Sequence, residues 1–176
     1  MNKVDIRFIT LQDTSNIIKW RNQSYVRSKL YFSKPITKEQ HEIYFHQNVE
    51  TKKVIQFIIV VQSEEINDVI DIGTAFLKNI DEISKKAEFG IFIGEESALG
   101  KGFGTKAISK VLEYAFTELN LNRVWLQVFS DNIPAIKAYT KSGFKLEGRL
   151  VQDFLRFDGY ADVSIMGITK DNWLRR

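Results

Sequence analysis

Residues 98–105 read Ala-Leu-Gly-Lys-Gly-Phe-Gly-Thr and lie between an apolar strand pattern and a long helix pattern. Glycine permits tight turns and close approach of the backbone to a ligand. The N-terminus of the helix that follows favours anions such as phosphates. The spacing fits neither the dinucleotide fingerprint nor the Walker A loop, because Thr105 and Leu99 stand where those motifs need glycine. Alone, the cluster predicts either another kind of phosphate loop or a ligand-free connection.

The patterns on either side of this cluster predict one α/β (α+β) domain over residues 1–176. Apolar alternation and β-branched runs predict strands at 4–8, 54–61, 69–77, 86–93, 124–129, 144–154 and 160–168. Helical spacing and capping signals predict helices at 13–20, 37–49, 107–119 and 132–142. The last two strands meet around Asp158-Gly159, a hairpin signal. We therefore expect a mixed, mostly antiparallel sheet of about seven strands, flanked by about four helices.

Composition excludes several functional classes. The chain has 176 residues, of which 44% are hydrophobic and 27% charged, so it has enough apolar residues for one packed core. It has no cysteine, which excludes disulfides and thiolate chemistry, and its two histidines, His41 and His46, fit no metal motif. We therefore expect no metal, and we interpret both histidines as surface or packing residues.

No apolar run is long enough to span a bilayer, and the N-terminus lacks a secretory signal pattern, so we expect a cytoplasmic protein without membrane contact. The net charge of +3 comes without a nucleic-acid-binding motif, so no nucleic-acid partner is expected.

A second motif follows the glycine cluster. Residues 132–144 carry Asn-x-x-Ala-x-x-x-Tyr-x-x-x-Gly-Phe, in which Asn132, Ala135 and Tyr139 share one face of the predicted helix. The small side chain of Ala135 lets a ligand or another backbone approach. Considered alone, Tyr139 could equally be a core aromatic residue.

Together the two motifs resemble the GNAT superfamily of acetyl-CoA-dependent N-acetyltransferases. Within it, the chain is most similar to the branch with ribosomal-protein-alanine, spermidine and UDP-amino-sugar acetyltransferases, and the resemblance covers essentially the whole chain. It implies a GNAT-like domain that uses acetyl-CoA as co-substrate and a small-molecule amine as acceptor, and it allows a homodimer. The glycine cluster corresponds to the family's pyrophosphate loop, with Leu99 in place of the usual Gln or Arg. The implied cofactor-binding residues are Phe92, Ile93, Leu99, Gly100, Lys101, Gly102, Phe103, Gly104, Thr105, Asn132 and Ala135.

Acetyl transfer to an amine needs three events. The amine loses a proton, the carbonyl oxygen is stabilised as it gains charge, and the departing thiolate is protonated. The resemblance implies that the strand ending at Ile93 splays from the strand that starts at Val124, leaving a gap for the acetyl-pantetheine arm. Backbone groups near Phe92 and Ile93 would polarise the carbonyl. Asn132 would bind the pantetheine, and Tyr139 would be the general acid.

The general base remains open between two carboxylates. Glu88 lies just before the loop and could act directly or through a water molecule, or it could simply face solvent. By alternation it lies on the face opposite Phe89, so a role as base requires that this face line the cleft. Glu147 is the second candidate.

The acceptor is predicted from charge. No carboxylate occurs between Thr14 and Lys38, whereas six Lys and Arg residues do. A polyamine site should gather carboxylates, and an anionic nucleotide suits arginine and aromatic faces. We therefore favour an amino-sugar nucleotide, with Arg21, Tyr31 and Glu147 as acceptor-binding residues. Three alternatives remain: a polyamine or protein N-terminal acceptor, a non-catalytic acyl-CoA-binding module, or a merely solvated basic surface.

Overall fold

A seven-stranded mixed sheet forms the centre of the computed structural model, which describes residues 3–62 and 68–176. Its strands are β1 (Lys3–Phe8), β2 (Val54–Gln62), β3 (Val69–Asp81), β4 (Lys86–Ile93), β5 (Arg123–Phe129), β6 (Lys145–Arg156) and β7 (Gly159–Thr169). They lie in the order β1-β2-β3-β4-β5-β7-β6. Strands β4 and β5 are parallel, and the other neighbouring pairs are antiparallel. The expected mixed and mostly antiparallel sheet is confirmed.

Six α-helices accompany the sheet in the described part of the chain, two more than expected. They are α1 (Thr14–Arg21), α2 (Ser24–Arg27), α3 (Lys38–Tyr44), α4 (Phe103–Thr117), α5 (Ile133–Lys141) and α6 (Lys170–Leu174). A π-helical turn over Phe45–Val49 extends α3 to the predicted end of that helix. The two additional helices, α2 and α6, have four and five residues. They escaped prediction because so short a helix contains too few turns to show a hydrophobic period.

Helix α4 covers one face of the sheet and supplies the largest part of the core. Its apolar residues recur at helical spacing and meet the inward-facing side chains of β1, β3, β4 and β5. Burial of each large apolar side chain here stabilises the fold by about 1.5 to 3 kcal/mol. The side chains of the helix that have no solvent exposure are Ala107, Val111, Leu112, Ala115 and Phe116.

Helices α1 and α3 pack on the opposite face through a second, smaller cluster. Trp20 and Ile58 are fully buried there, together with Ile9, Ile17 and Phe45. His41 belongs to this layer: it is 3% exposed, and its Nδ1 lies 3.0 Å from the Thr14 hydroxyl. The interpretation of His41 as a packing residue is therefore confirmed.

The predicted turn between the last two strands lies one residue earlier than Asp158-Gly159. Arg156 pairs with Gly159, so Phe157 and Asp158 form the turn. Gly159 opens β7 with a φ of 120°, a conformation that disfavours other residues. The connection predicted between β2 and β3, residues 63–68, lies outside the described residues except for Asp68. No helix in the described ranges has the length and apolar character needed to cross a membrane.

The carboxylate of Asp13 ties the start of α1 to β1. Arg7 donates to it from Nη1 at 2.9 Å and from Nη2 at 2.7 Å, and the backbone N–H of Thr10 donates at 2.8 Å. Arg7 also bonds Asp71 of β3 at 2.7 Å. Burial raises the pKa of Asp13, but the bonds from Arg7 and Thr10 outweigh burial and leave the pKa below its ordinary value.

We expect Asp13→Ala to lower the free energy of unfolding by about 2 to 3 kcal/mol, because Arg7 and Thr10 lose a charged partner. The pKa of Asp13 is lower in the folded than in the unfolded chain. Its stabilising contribution is therefore present above about pH 4 and is lost as the pH falls through the folded pKa. Urea unfolding at pH 7 and pH 3 measures this, and the difference between wild type and variant should shrink at pH 3. The control is Glu113→Ala, an exposed carboxylate on α4; equal losses in both variants would contradict the argument.

Candidate active site

Strands β4 and β5 run side by side only where they begin. Lys86, Ala87 and Glu88 pair with the first three residues of β5, whereas β4 stays paired with β3 as far as Ile93. Beyond Glu88 the two strands therefore separate, and a gap opens toward their C-terminal ends. Along this edge of β4, the backbone groups beyond Glu88 face the gap instead of a neighbouring strand. The groups that face the gap belong to alternate residues, Phe89, Ile91 and Ile93, whereas Phe92 pairs with Thr74 and its backbone groups face β3, contrary to expectation.

The glycine loop lies at the open end of this gap. Gly100 and Gly102 have φ angles of 73° and 77°, and a Cβ atom added to either would meet no atom within 4 Å. Gly102 is the N-cap of α4, so the N–H groups of the first helical turn have no partners within the helix. Gly104 lies against the end of β4, with its ideal Cβ 3.9 Å from Ile93 Cγ1. The loop is thus an open, amide-rich cradle of the kind that binds a pyrophosphate.

The remaining loop residues take different positions around this cradle. Phe103 is buried and anchors the first turn of α4, whereas Leu99 is 44% exposed. Lys101 is exposed and Thr105 is half-buried. Leu99 therefore leaves an apolar side chain at the surface of the loop, and the backbone N–H groups are the donors available for a phosphate.

Helix α5 brings the second motif to the other side of the gap. Asn132 is its N-cap, and Oδ1 of this side chain accepts from the N–H of Ala135 at 3.4 Å. Tyr139 is 6% exposed, and its ring meets Phe89 of β4 edge to face at 6.3 Å. Burial, with a smaller contribution from Tyr31, raises the pKa of Tyr139. Its phenol is consequently protonated at neutral pH, and none of the hydrogen bonds in the described part of the chain uses its hydroxyl.

Glu88 faces the side of the sheet opposite Phe89, where Lys78 and Asn79 hold its carboxylate. Asn79 Nδ2 donates to its Oε2 at 2.8 Å, and Lys78 Nζ lies 3.1 Å from Oε1. Burial, then the negative charges of Asp153 and Glu88, raises the pKa of Tyr31 to about 12. The Glu88 carboxylate thus lies between Lys78 and Asn79, and its charge contributes to the raised pKa of Tyr31.

Three aromatic rings, those of Tyr31, Phe129 and Phe154, pack together at the C-terminal end of β5. The Tyr31 ring lies 5.0 Å from Phe129, the last residue of β5, and 4.9 Å from Phe154 of β6. Phe129 and Phe154 are themselves 5.4 Å apart. Tyr31 thus connects the loop after α2 to the ends of β5 and β6, close to both Glu88 and Tyr139.

Comparison with known families agrees with this geometry. A family model described as "Acetyltransferase (GNAT) domain" matches residues 3–145. The chain is a GNAT acetyltransferase. It therefore carries out acetyl-CoA-dependent N-acetyl transfer, and the alternative of a non-catalytic binding module is dropped.

Relatives of this GNAT chain include enzymes with different acceptors. The chain is 34% identical to a spermidine N(1)-acetyltransferase of Vibrio cholerae, over 100% of this chain and 94% of the relative. It is 28% identical to acetyltransferase PseH of Campylobacter jejuni, over 77% of this chain and 78% of the relative.

Solved structures give the same fold. The spermidine N-acetyltransferase of Vibrio cholerae in complex with CoA and spermine superposes with a TM-score of 0.86 at 28% identity, covering 97% of this chain and 98% of that one. A structure described as dodecameric, of the same enzyme in an intermediate state, superposes with a TM-score of 0.80 at 28% identity, covering 98% and 97%.

Glu147 does not line the gap of this GNAT domain, contrary to expectation. Its carboxylate is bound by the guanidinium of Arg123, with Nη1 2.6 Å from Oε1. Arg123 is the first residue of β5 and pairs with Lys86, so it lies where β4 and β5 are still joined. The hydrogen bond from Arg123 also lowers the pKa of Glu147. This position favours a structural ion pair over a role as the general base.

Arg21 is directed at its own loop and not at the gap. Its Nη2 donates to the carbonyl oxygen of Phe32, and its guanidinium lies 5.7 Å from the centre of the Phe32 ring. Burial, and then the nearby charge of Arg27, lowers the pKa of Arg21. The side chain holds the segment after α2 against α1. The expectation that it binds an anionic acceptor is not supported by this position.

The carboxylate of Glu95 has a role that the sequence did not reveal. From sequence alone, Glu95 would be an exposed charge in a turn. In the structure, Trp20 Nε1 donates to its carboxylate at 2.7 Å and Lys19 Nζ donates at 2.6 Å. At the neighbouring Gly94, an added Cβ would lie 2.0 Å from Trp20 Cγ. Helix α1 therefore packs directly on the end of β4. The available signal was the Trp20 indole, because a buried indole N–H needs an acceptor.

Proposed function

We propose that this enzyme transfers the acetyl group of acetyl-CoA to a primary amino group of a polyamine such as spermidine. The observation that supports this acceptor is the pair of carboxylates around Tyr31. Glu88 of β4 and Asp153 of β6 both lie close enough to Tyr31 to raise its pKa. Glu88 shares its charge with Lys78, and the two carboxylates beside the aromatic rings of Tyr31, Phe129 and Phe154 suit a cation better than an anionic nucleotide.

The stretch from Thr14 to Lys38 has no carboxylate, but strands β4 and β6 supply them to the same place. Arg21, the residue that most favoured a nucleotide, is held by Phe32. The spermidine enzyme of Vibrio cholerae supports this change of preference, because it matches over the whole chain at 34% identity, whereas PseH matches over 77% of it at 28%.

Each step of the transfer has a residue in this proposal. Backbone N–H groups of Ile91 and Ile93 along the open edge of β4 stabilise the carbonyl oxygen as it gains charge. Glu88 accepts the proton of the attacking amine, directly or through a water molecule. The amine nitrogen bonds to the carbonyl carbon and the carbon–sulfur bond breaks. The Tyr139 hydroxyl donates its proton to the departing sulfur.

The test is a comparison of acceptors with the purified chain and acetyl-CoA, measured as thiol release. Spermidine, a UDP-amino sugar and a peptide with a free N-terminus are the three acceptors. We expect the highest kcat/KM for spermidine and no inhibition of its turnover by excess UDP. Turnover of the UDP-amino sugar or the peptide without turnover of spermidine would overturn the proposed acceptor.

Self-association is part of the same proposal, because one similar enzyme is described as dodecameric. Light scattering of the purified chain would measure the number of subunits. A mass equal to one chain at all concentrations would contradict it.

We expect Glu88→Gln to lower kcat for spermidine by about three- to tenfold. The Gln amide keeps an acceptor for Asn79 but cannot take up the proton of the attacking amine. The effect is moderate because solvent water in an open cleft can still accept that proton. Initial rates at saturating acetyl-CoA measure the effect. The exposed Glu50→Gln serves as a matched control, and equal rates in all three proteins would remove Glu88 from the mechanism.

A further inference from the structure

Strand β3 contains an extra residue where it pairs with the beginning of β4. Beyond the pair formed by Lys78 and Glu88, two residues of β3, Asn79 and Ile80, lie opposite the single residue Ala87 of β4. Asn79 has a φ of 51°, a left-handed conformation that asparagine adopts more readily than most residues. We refer to Asn79 and Ile80 as the β3 bulge. Bulges of this kind change the direction of side chains and are common next to active sites.

The β3 bulge brings the Asn79 side chain to the face of the sheet that carries Glu88. In a regular strand the faces alternate, so Asn79 would follow the buried Leu77 into the main core. The extra residue shifts the alternation by one, and Ile80 packs against the core in its place. Asn79 is exposed on the opposite face, where its Nδ2 donates to Glu88 Oε2 at 2.8 Å.

The other oxygen of the Glu88 carboxylate is held by Lys78. Its Nζ lies 3.1 Å from Glu88 Oε1 and 5.9 Å from the centre of the Phe76 ring. That ring lies across Gly90, where an added Cβ would be 2.2 Å from Phe76 Cζ. The Glu88 side chain is 12% exposed among these groups. Each carboxylate oxygen thus has a partner of its own, which restricts the orientation of the carboxylate and leaves lone pairs free to accept a proton.

We propose that Asn79 is a positioning residue for the general base, because the β3 bulge lets its amide fix the Glu88 carboxylate in the orientation that takes the proton of the attacking amine. This inference rests on the proposed function, in which Glu88 is that base. Glu88 is also the last residue of β4 that pairs with β5, so it stands where the gap begins. A base that is held in one orientation reacts faster than one that must first find it.

The experiment replaces Asn79 by two residues that both tolerate a positive φ. Glycine keeps the backbone of the bulge and removes the amide, whereas aspartate keeps the shape of the side chain and repels Glu88. We expect kcat to fall about two- to threefold in Asn79→Gly and about fivefold in Asn79→Asp, because a bond to a charged acceptor is lost and then replaced by repulsion. The KM for acetyl-CoA should change by less than about twofold in both variants.

The same two substitutions in Glu88→Gln test whether Asn79 acts through Glu88. This background has no carboxylate to position, so we expect neither substitution to lower kcat further, and the effects are then non-additive. Asn120→Gly is the matched control. Asn120 also has a positive φ, 47°, but it lies between α4 and β5 and accepts from Lys170 Nζ at 2.7 Å. Its replacement should leave kcat unchanged.

Thermal unfolding of each variant shows that the protein is folded at the assay temperature, and all rates are measured with the best of the three acceptors named above. Wild-type kcat in both Asn79 variants would show that Asn79 serves only the backbone of the bulge, and it overturns this inference alone. Equal losses in the wild-type and Glu88→Gln backgrounds do the same. An enzyme that acetylates another amine but not spermidine overturns the proposed acceptor, while the Asn79 variants with that amine still decide this inference.

Discussion

Tyr139→Phe should lower kcat by about 10²-fold or more, with little change in the KM for acetyl-CoA. The phenol lies on α5 beside the gap, and burial raises its pKa above the ordinary value near 10. The Tyr139 hydroxyl is therefore protonated throughout the neutral pH range, and its raised pKa keeps it protonated to a more alkaline pH than an ordinary tyrosine. Phenylalanine fills the same space without a proton to donate. Steady-state kinetics at saturating spermidine and acetyl-CoA measure the effect.

Tyr114→Phe is the matched control. Tyr114 is also a partly buried tyrosine with a raised pKa, but it lies on α4 and packs edge-on against Phe57 at 5.1 Å. Removal of its hydroxyl should leave kcat unchanged. Wild-type turnover in Tyr139→Phe would reduce Tyr139 to a packing residue against Phe89.

Gly102→Val should weaken acetyl-CoA binding by more than tenfold, or about 1.4 kcal/mol. The φ of 77° at Gly102 disfavours a β-branched side chain, and the Cβ position opens into empty space at the end of α4. That space is where a pyrophosphate must approach the N–H groups of the first helical turn. Titration calorimetry with acetyl-CoA measures the loss of affinity.

A second glycine separates backbone strain from the loss of the cradle. Gly159 also has a positive φ, 120°, and empty space around its Cβ position, but it is the first residue of β7, directly after the turn that joins β6 to β7. Gly159→Val should therefore be destabilised without losing affinity for acetyl-CoA. The argument fails if folded Gly102→Val binds acetyl-CoA as wild type does, or if both variants lose affinity equally.

The features that repeat along the chain were predictable from sequence. Helix α4 shows its apolar period over four turns, and the strands show theirs over five residues or more, so the sheet and the main helices follow directly. The glycine loop has fixed spacing and special backbone requirements, which a sequence displays. The conformation of these elements depends on residues that are close together in the sequence.

The acceptor side could not be predicted in the same way. It is assembled from residues far apart in sequence, because the Tyr31 ring lies 5.0 Å from Phe129 and 4.9 Å from Phe154. No local pattern encodes these contacts. Glu147 illustrates the opposite error: its neighbourhood in sequence looks suitable for a base, yet Arg123 at the far end of β5 neutralises it.

The short seam between β4 and β5 divides the sheet into two blades. One blade contains β1 to β4 and the other contains β5, β7 and β6, and only three residue pairs join them. Such a seam resists bending less than a full ladder does, because few backbone hydrogen bonds cross it. A pantetheine arm contains amide groups of its own, and in the gap it would supply the missing rungs between the blades. The bound pantetheine arm would then bridge the two parts of the sheet, and the sheet would be most rigid when acetyl-CoA is bound.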